Sequence, residues 1–285
     1  MYFKSKDGIV FHYQSAGKGV PFIFQHGLGG DTSQPFGIFK PPKGFCLLSF
    51  DCRGHGKTKP LGKPKNIKIV SFADDLLCFM RHLELSKAIV GGISLGAAVA
   101  LNFALRFPEH VLGLVLSRPA WLDGPRKENV VIYSLIARLL RKYGPEKGLL
   151  RFKECKEYKT VRKESPDAAS SLLGQFEHPR ALETVIKLEQ IPKDRPCRDK
   201  KGWEKITIPT LVLANKQDPI HPFGYGNLLA RRIPSSEFHE ITPKSVNNEK
   251  HARDVQKFVE EFLKRHFLKK RGLIHAQMFY ITLVG

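Results

Sequence analysis

The fold of this chain is decided by the stretch Lys87-Ala88-Ile89-Val90-Gly91-Gly92-Ile93-Ser94-Leu95-Gly96. Residues 87–92 are a short apolar run of the kind that forms a buried strand, and residues 94–107, rich in alanine and leucine, predict a helix. A sharp turn from strand to helix needs small residues on both sides of its tip, and Gly92 and Gly96 provide them around Ser94. The sequence therefore predicts a strand, a tight turn and a helix, with the Ser94 hydroxyl at the end of the strand.

Further apolar runs on both sides of this unit predict more strands. They cover residues 9–14, 21–25, 45–50, 111–116, 210–214 and 237–241. Amphipathic patterns predict helices over residues 71–84, with Ser71 as the N-cap, and over 225–232 and 251–266. Because strands alternate with helices, the predicted fold class is α/β, with a mostly parallel twisted sheet flanked by helices.

The serine at this turn can be a nucleophile or only the N-cap of the helix, and the pentapeptide allows both readings. A nucleophilic serine requires a histidine that removes its proton and a carboxylate that orients the histidine. Asp218 lies in the loop after a predicted strand, where a parallel sheet presents its ligands. His251 follows the next strand, at the boundary where the last predicted helix begins at about this residue, and we expect it to act from the loop side of that boundary. The order Ser94, Asp218, His251 is the one expected of such a nucleophile, acid and base.

Four motifs occur in order along the chain. They are His26-Gly27-Leu28-Gly29-Gly30, Asp51-Cys52-Arg53-Gly54-His55-Gly56, the turn Gly92–Gly96, and the pair Asp218 and His251. With these motifs, residues 1 to about 266 resemble the α/β-hydrolase fold superfamily, in its capped esterase and lipase-like branch. The resemblance implies that the backbone N–H groups of Leu28 and Leu95 form an oxyanion hole. It also implies that Arg53 ties loops together beside the site and that His26 orients the oxyanion loop.

The same resemblance implies an inserted helical cap over residues 122–205. Its apolar face is predicted to consist of Val130, Val131, Ile132, Leu135, Ile136, Leu139 and Leu140. The core would then comprise residues 1–121 and 206–266. The remaining residues, 267–285, form a C-terminal tail to which the sequence assigns no role.

Other residues compete for the catalytic positions. His239 lies inside a strand pattern and His221 lies just after the acid, and we expect both to be structural. Asp123, after the strand 111–116, occupies the alternative position for the acid. Cys52 and His55 imitate a cysteine–histidine site together with Asp51. Three neighbours in one tight loop rarely point at a common atom, however, so we do not assign that role to them.

The expected activity is that of a serine hydrolase without a cofactor or a metal ion, cleaving a carboxylic ester or a related acyl bond. Ser94 would carry the acyl group, His251 would act as base and then as acid, and Asp218 would orient the histidine. Hydrolysis of a lactone or of a carbon–carbon bond uses the same groups and remains an alternative. A non-catalytic relative that binds a small molecule is another. By resemblance, a serine at this turn argues against haloalkane dehalogenase and epoxide hydrolase chemistry.

The chain is strongly basic, with 47 Lys and Arg against 27 Asp and Glu and a net charge of +20. Such a charge favours anionic partners, but no nucleic-acid recognition motif accompanies it, so we expect a small-molecule acyl substrate and no nucleic acid. Basic residues are frequent in the expected cap, including Arg138, Arg141, Lys142, Arg151 and Lys153. We interpret them as a solvated helix face, with peripheral contact to an anionic membrane as the alternative. The sequence does not decide the oligomeric state.

The sequence also bears on the compartment. Residues 1–7 do not have the pattern of a secretory signal, and no run reaches the roughly 20 apolar residues that cross a bilayer. The 5 cysteines form no CxxC pair, which fits a reducing compartment. We therefore expect a cytoplasmic protein.

Overall fold

The computed structural model of the protein describes residues 1–124 and 128–268. Its strands are β1 (Tyr2–Lys4), β2 (Val10–Gly17), β3 (Gly19–Gln25), β4 (Gly44–Phe50), β5 (Ala88–Ile93), β6 (Val111–Ser117), β7 (Thr210–Ala214) and β8 (Ser236–Glu240). They form an 8-stranded sheet in the order β1-β2-β4-β3-β5-β6-β7-β8. The strands from β4 to β8 in this order are parallel, and β1 and β2 run antiparallel at one edge. The predicted α/β class is confirmed.

Helices follow most of the strands. They are α1 (Ser33–Ile38), α2 (Ile69–His82), α3 (Leu95–Arg106), α4 (Val131–Glu154, interrupted at Gly144), α5 (Lys156–Glu164), α6 (Pro166–Glu177), α7 (Ile186–Gln190), α8 (Phe223–Arg232) and α9 (Asn248–Leu263, continued by a π-helix over Lys264–Leu268). Helices α4–α7 lie in the chain between β6 and β7, where the sequence predicts an insertion. In the described residues, no helix combines the length and the apolar character needed to cross a membrane.

The sheet separates two apolar layers, as the alternation of side chains along β3 illustrates. Phe22 and Phe24 pack into the layer that contains Val259 of α9. Ile23, between them, faces the layer that contains Phe72 of α2 and also includes residues of α3 and α8. Both faces of the parallel strands are therefore buried, and the free ends of the strands are left for a site.

Two details of the prediction differ from the structure. Helix α2 begins at Ile69, so Ser71 lies in its first turn and is not the N-cap. The reason is a distant partner, because the backbone N–H of Ile69 donates to Asp194 Oδ2 at 2.7 Å. In the predicted apolar face of the insertion, Val131 is 51% exposed, whereas its neighbours Val130 and Ile132 are buried. Residues 269–285 of the predicted tail lie outside the described residues.

The turn at Ser94 confirms the need for glycine on both sides. Ser94 has a φ of 57°, in the left-handed region. A Cβ on Gly92 would lie 2.3 Å from the backbone carbon of Gly96, and a Cβ on Gly96 would lie 2.1 Å from the carbonyl oxygen of Gln25. Close backbone approach therefore fixes the turn between β5 and α3.

Replacing Gly96 with alanine is expected to lower the free energy of unfolding by about 3 kcal/mol, because backbone atoms of β3 would have to move. The matched control is Gly37→Ala in α1, where an added Cβ meets nothing within 4 Å. The control should change stability by less than about 1 kcal/mol. Urea denaturation of both variants measures the difference, and equal midpoints would contradict the expected clash.

Candidate active site

The Ser94 hydroxyl lies at the carboxyl end of β5, at the tip of the turn into α3. Its side chain makes no capping hydrogen bond to the helix. Instead Ser94 Oγ lies 2.9 Å from His221 Nε2. The geometry therefore favours the nucleophile reading of Ser94 over the N-cap reading.

His221 is held by Asp218, which follows β7. His221 Nδ1 lies 3.0 Å from both carboxylate oxygens of Asp218. The chain bends sharply here, because Asp218 Oδ1 also accepts from the backbone N–H groups of Ile220 at 3.2 Å and His221 at 3.0 Å. This bend places the imidazole between the carboxylate and Ser94.

Arg118 completes the arrangement from the end of the neighbouring strand β6. Its Nε and Nη2 donate to Asp218 Oδ2 at 3.0 and 2.6 Å. Nη2 also lies 3.3 Å from His221 Nδ1. Arg118 has a φ of 46°, so its backbone, like that of Ser94, adopts a left-handed conformation at the end of a strand.

The protonation states follow from burial and from these charges. Burial raises the pKa of Asp218, but the charges of His221 and Arg118 outweigh it and hold the pKa far below its usual range. Burial lowers the pKa of His221, Asp218 opposes this, and Arg118 adds to it, so the pKa falls below its ordinary value. At neutral pH, therefore, Asp218 is a carboxylate and His221 is a neutral imidazole. With its Nδ1 proton directed at Asp218, His221 Nε2 can accept a proton from Ser94.

The structure does not place His251 where the sequence predicts it. Helix α9 begins at Asn248, capped by Asn247, whose side chain accepts from the backbone N–H of Lys250 at 2.8 Å. His251 therefore lies in the first turn of this helix and not in a loop. Its Nδ1 donates to the carbonyl oxygen of Thr242 at 2.8 Å. The contact with Ser94 that was expected of His251 is made by His221.

The other competing residues lie apart from the Ser94 hydroxyl. His239 stacks on Phe258 with ring centroids 4.1 Å apart, in agreement with a structural role. Asp123 is half-buried, and its carbonyl oxygen accepts from Arg195 Nη1 at 3.4 Å. Burial raises the pKa of the Cys52 thiol well above its ordinary value, so this cysteine stays protonated.

The loop after β3 is fixed by buried histidines. His26 Nδ1 donates to the carbonyl oxygen of Gly27 at 2.8 Å, and His26 Nε2 accepts from the backbone N–H of Cys52 at 3.0 Å. His55 Nε2 lies 3.0 Å from the carbonyl oxygen of Leu28. His26 therefore orients this loop, as the resemblance implies.

Arg53 ties the neighbouring loop to α2 and to the N-terminal segment. Its Nε and Nη2 donate to Asp75 at 2.7 and 2.6 Å, and Nη2 also donates to Asp7 at 3.3 Å. Arg53 therefore has the structural role that was expected of it, because it joins its own loop to α2 and to the segment that contains Asp7.

Leu28 and Leu95 are both placed beside Ser94. Leu95 is the first residue of α3 and follows the serine directly, and Leu28 lines the same cavity as Ser94. Within the described residues, neither backbone N–H donates to another protein group outside a regular element. The role of these two N–H groups as an oxyanion hole stays a prediction.

A cavity of about 260 Å³ lies over Ser94 and His221. Helix α6 covers it with Ala168, Ser170 and Ser171. The helix is linked to the core at one end by the ion pair of Asp167 with Lys244 at 2.8 Å. Toward its other end, Gln175 packs so closely on Gly29 that a Cβ there would lie 2.2 Å from Gln175 Nε2. Helix α6 is thus the roof of the cavity.

A family model described as alpha/beta hydrolase fold matches residues 20–245. The chain belongs to the alpha/beta hydrolase fold family. Its sheet order and the serine turn agree with this assignment. The protein is accordingly a hydrolase.

Known proteins are similar to this one along most of the chain. The chain is 26% identical over 249 residues to the AB hydrolase superfamily protein YisY of Bacillus subtilis (strain 168), covering 83% of this chain and 88% of that protein. It is 23% identical over 248 residues to 3-oxoadipate enol-lactonase 2 of Acinetobacter baylyi, covering 85% and 88%. The crystal structure of the enol-lactonase from Burkholderia xenovorans LB400 superposes with a TM-score of 0.71 at 21% identity, covering 93% of this chain and 100% of that one. The last likeness shows the shared fold alone.

The sequence analysis of this alpha/beta hydrolase wrongly expected His221 to be structural and did not identify Arg118, although a local signal existed for His221. An aspartate can accept hydrogen bonds from backbone N–H groups shortly after it, which turns the chain and returns a following side chain toward the carboxylate. The residues Asp218-Pro219-Ile220-His221 have this pattern. Asn247 as the N-cap and Glu249 in the first turn are a helix-start signal that places His251 inside the helix.

Proposed function

We propose that this alpha/beta hydrolase is a serine hydrolase that cleaves a carboxylic ester or a related acyl bond through an acyl-enzyme on Ser94. The observation that carries the proposal is the contact of Ser94 Oγ with His221 Nε2 at 2.9 Å. Asp218 lies behind the imidazole, and a cavity opens in front of the hydroxyl. A neutral histidine in this position is the group that a serine nucleophile requires.

In the proposed reaction, Ser94 Oγ attacks the substrate carbonyl carbon while its proton moves to His221 Nε2. Asp218 accepts the hydrogen bond from Nδ1 and stabilises the imidazolium that forms. His221 then gives the proton to the leaving oxygen as the bond to the acyl carbon breaks. In the second half of the reaction, His221 takes a proton from water, whose oxygen attacks the acyl carbon of the acyl-enzyme. His221 then returns this proton to Ser94 Oγ as the bond between Oγ and the acyl carbon breaks, which releases the acid and the free serine.

The negative charge that develops on the carbonyl oxygen would be stabilised by the backbone N–H groups of Leu28 and Leu95. Leu95 begins α3, so the positive end of the helix dipole adds to the same effect. Such preorganised donors are worth about 3–4 kcal/mol to the transition state in comparable sites.

A fluorophosphonate tests the proposal because it reacts with an activated serine. We expect intact-mass measurement to show one adduct on the wild-type protein, peptide mapping to place it on Ser94, and the Ser94→Ala variant to remain unlabelled. An adduct that persists in the variant would contradict the assignment. A folded wild-type protein without any adduct would favour a non-catalytic, ligand-binding relative.

Activity is expected to fall at acid pH as His221 becomes protonated. Since burial and Arg118 lower the pKa of His221 more than Asp218 raises it, the midpoint of this loss should lie below the ordinary value of about 6.5. The neutral form accepts the proton of Ser94, so activity is present above this pKa and disappears below it.

The Arg118→Met variant should move the acid limb of kcat/KM to higher pH, because one charge that lowers the pKa of His221 is removed. A pH profile with phenyl acetate measures both midpoints. A variant midpoint equal to or below that of the wild type would contradict the electrostatic role of Arg118.

A lactone is the second candidate substrate class, favoured by the similarity to 3-oxoadipate enol-lactonase 2 over 85% of this chain. A lactone is a cyclic ester, so the same groups would act in the same order. Carbon–carbon bond hydrolysis with these groups stays an alternative prediction. A panel of esters, lactones and diketones assayed with the wild type and with Ser94→Ala separates the three.

The division into a core (residues 1–121 and 206–266) and a cap (residues 122–205) also remains our proposal, as does a cytoplasmic location. The division is supported by the four helices between β6 and β7 and by the position of α6 over the cavity. The basic residues Arg138 and Lys142 of α4 are exposed, as a solvated face requires. Contact with an anionic membrane would make activity on vesicle-bound esters fall steeply with salt, whereas a solvated face would not.

A further inference from the structure

The cavity over Ser94 is small, and polar side chains form much of its lining. Its volume of about 260 Å³ lies just below the range of roughly 300–1,000 Å³ that is typical of pockets for drug-sized ligands. Most of its polar side chains already have protein partners. Gln34 Oε1 accepts from the backbone N–H of Gly27 at 2.7 Å, and Lys244 pairs with Asp167.

Tyr133 of α4 differs from these residues. Its side chain lines the cavity and the residue is only 5% exposed, with the ring packed in the larger apolar cluster. The structure shows no hydrogen bond from its hydroxyl to another described residue, and this oxygen is not one of the fully buried polar atoms without a partner, so it is open to the cavity. By contrast Ser94, His221 and Arg118 are linked to one another or to Asp218. Because a hydroxyl group that is open to a cavity forms its hydrogen bond with whatever fills the cavity, a bound ligand can supply the partner of Tyr133.

The electrostatic surroundings keep this hydroxyl protonated and able to donate. Burial and the negative charge of Asp218 raise the pKa of Tyr133, so its hydroxyl stays protonated. It can therefore donate to an oxygen atom of a ligand in the cavity. An acyl chain made only of CH₂ groups would leave this donor unpaired, which discriminates against such a chain.

We propose that the Tyr133 hydroxyl binds a second oxygen atom of the substrate, on a keto or hydroxyl group close to the scissile carbonyl. The preferred substrate class is then short oxo- or hydroxy-acyl esters and the related lactones. This inference rests on the proposed function, because it assigns the acyl group to the cavity over Ser94.

The first test compares ethyl 3-oxobutanoate with ethyl butanoate, which differ by one keto oxygen. The wild type should prefer the oxo ester by about tenfold in kcat/KM, and Tyr133→Phe should hydrolyse the two esters with nearly equal kcat/KM. Tyr143→Phe is the matched control, since Tyr143 lies on the same helix but is 36% exposed. An equal preference in the wild type and in Tyr133→Phe would overturn the proposal.

A binding measurement keeps this inference separate from the proposed function. NMR titration of Ser94→Ala with ethyl 3-oxobutanoate should show binding about tenfold tighter than that of Ser94→Ala/Tyr133→Phe. Equal binding, or binding by neither protein, would overturn the role of Tyr133. If the wild type hydrolyses neither ester, the acyl-transfer proposal fails for this class, while the binding comparison still decides whether Tyr133 recognises the oxygen.

Discussion

Replacing His221 with glutamine is expected to lower kcat/KM by about 10⁴-fold and to abolish labelling by a fluorophosphonate. The reason is that His221 Nε2 is the base 2.9 Å from Ser94 Oγ, and the amide of glutamine cannot take up the proton. The side chain is enclosed but reaches a cavity, so a polar replacement of similar length should keep the fold. Circular dichroism and the thermal midpoint of the variant check that it does.

The matched control is His251→Gln, which replaces the histidine that the sequence predicts as the catalytic base. Because His251 Nδ1 donates to the carbonyl oxygen of Thr242, this variant should lose some stability and keep kcat/KM within about threefold of the wild type. Loss of activity in His251→Gln together with an active His221→Gln would reverse the assignment. His251 would then be the base, and α9 would have to rearrange to bring it to Ser94.

The Asp218→Asn variant is expected to lose about 10⁴-fold in kcat/KM, comparable to the loss of an orienting aspartate in other serine hydrolases. Asp218 Oδ1 accepts from two backbone N–H groups and Oδ2 accepts from Arg118. An asparagine must turn its NH₂ group toward one of these donors, so the acceptor that holds the His221 tautomer is lost. A steady-state assay alongside a urea denaturation curve separates this effect from unfolding.

Asp123→Asn is the control for the acid, since Asp123 occupies the alternative position suggested by the sequence. Its carboxylate is not among the groups that contact His221 in the described structure. We therefore expect activity within about threefold of the wild type. If Asp123→Asn were inactive and Asp218→Asn active, the acid would have to be reassigned.

Most of the fold could be predicted because its signals are local. Apolar runs located every strand from β2 to β8, and β7 was predicted with its observed bounds, Thr210–Ala214. The sequence missed β1 and α1, which have only 3 and 6 residues and carry little periodicity. The start of α2 was misplaced because Asp194, far along the chain, satisfies its first N–H group.

The sequence by itself determined the turn, the position of Ser94 and the position of Asp218. These depend on glycines two residues from the serine and on a loop directly after a strand, both of which are features of neighbouring residues. The structure places Asp218 beside His221, which contacts Ser94. The sequence predicts the same arrangement of acid, base and serine, but with His251 as the base.

Only the tertiary structure decided which histidine faces Ser94 and that Arg118 holds Asp218. The bend of the chain after Asp218 brings His221 to Ser94, and the start of α9 places His251 inside a helix. Both features are fixed by hydrogen bonds from backbone N–H groups to side chains. Arg118 meets Asp218 because β6 and β7 are parallel neighbours whose carboxyl ends lie side by side. That pairing joins residues far apart in the chain, so no local pattern of amino acids specifies it.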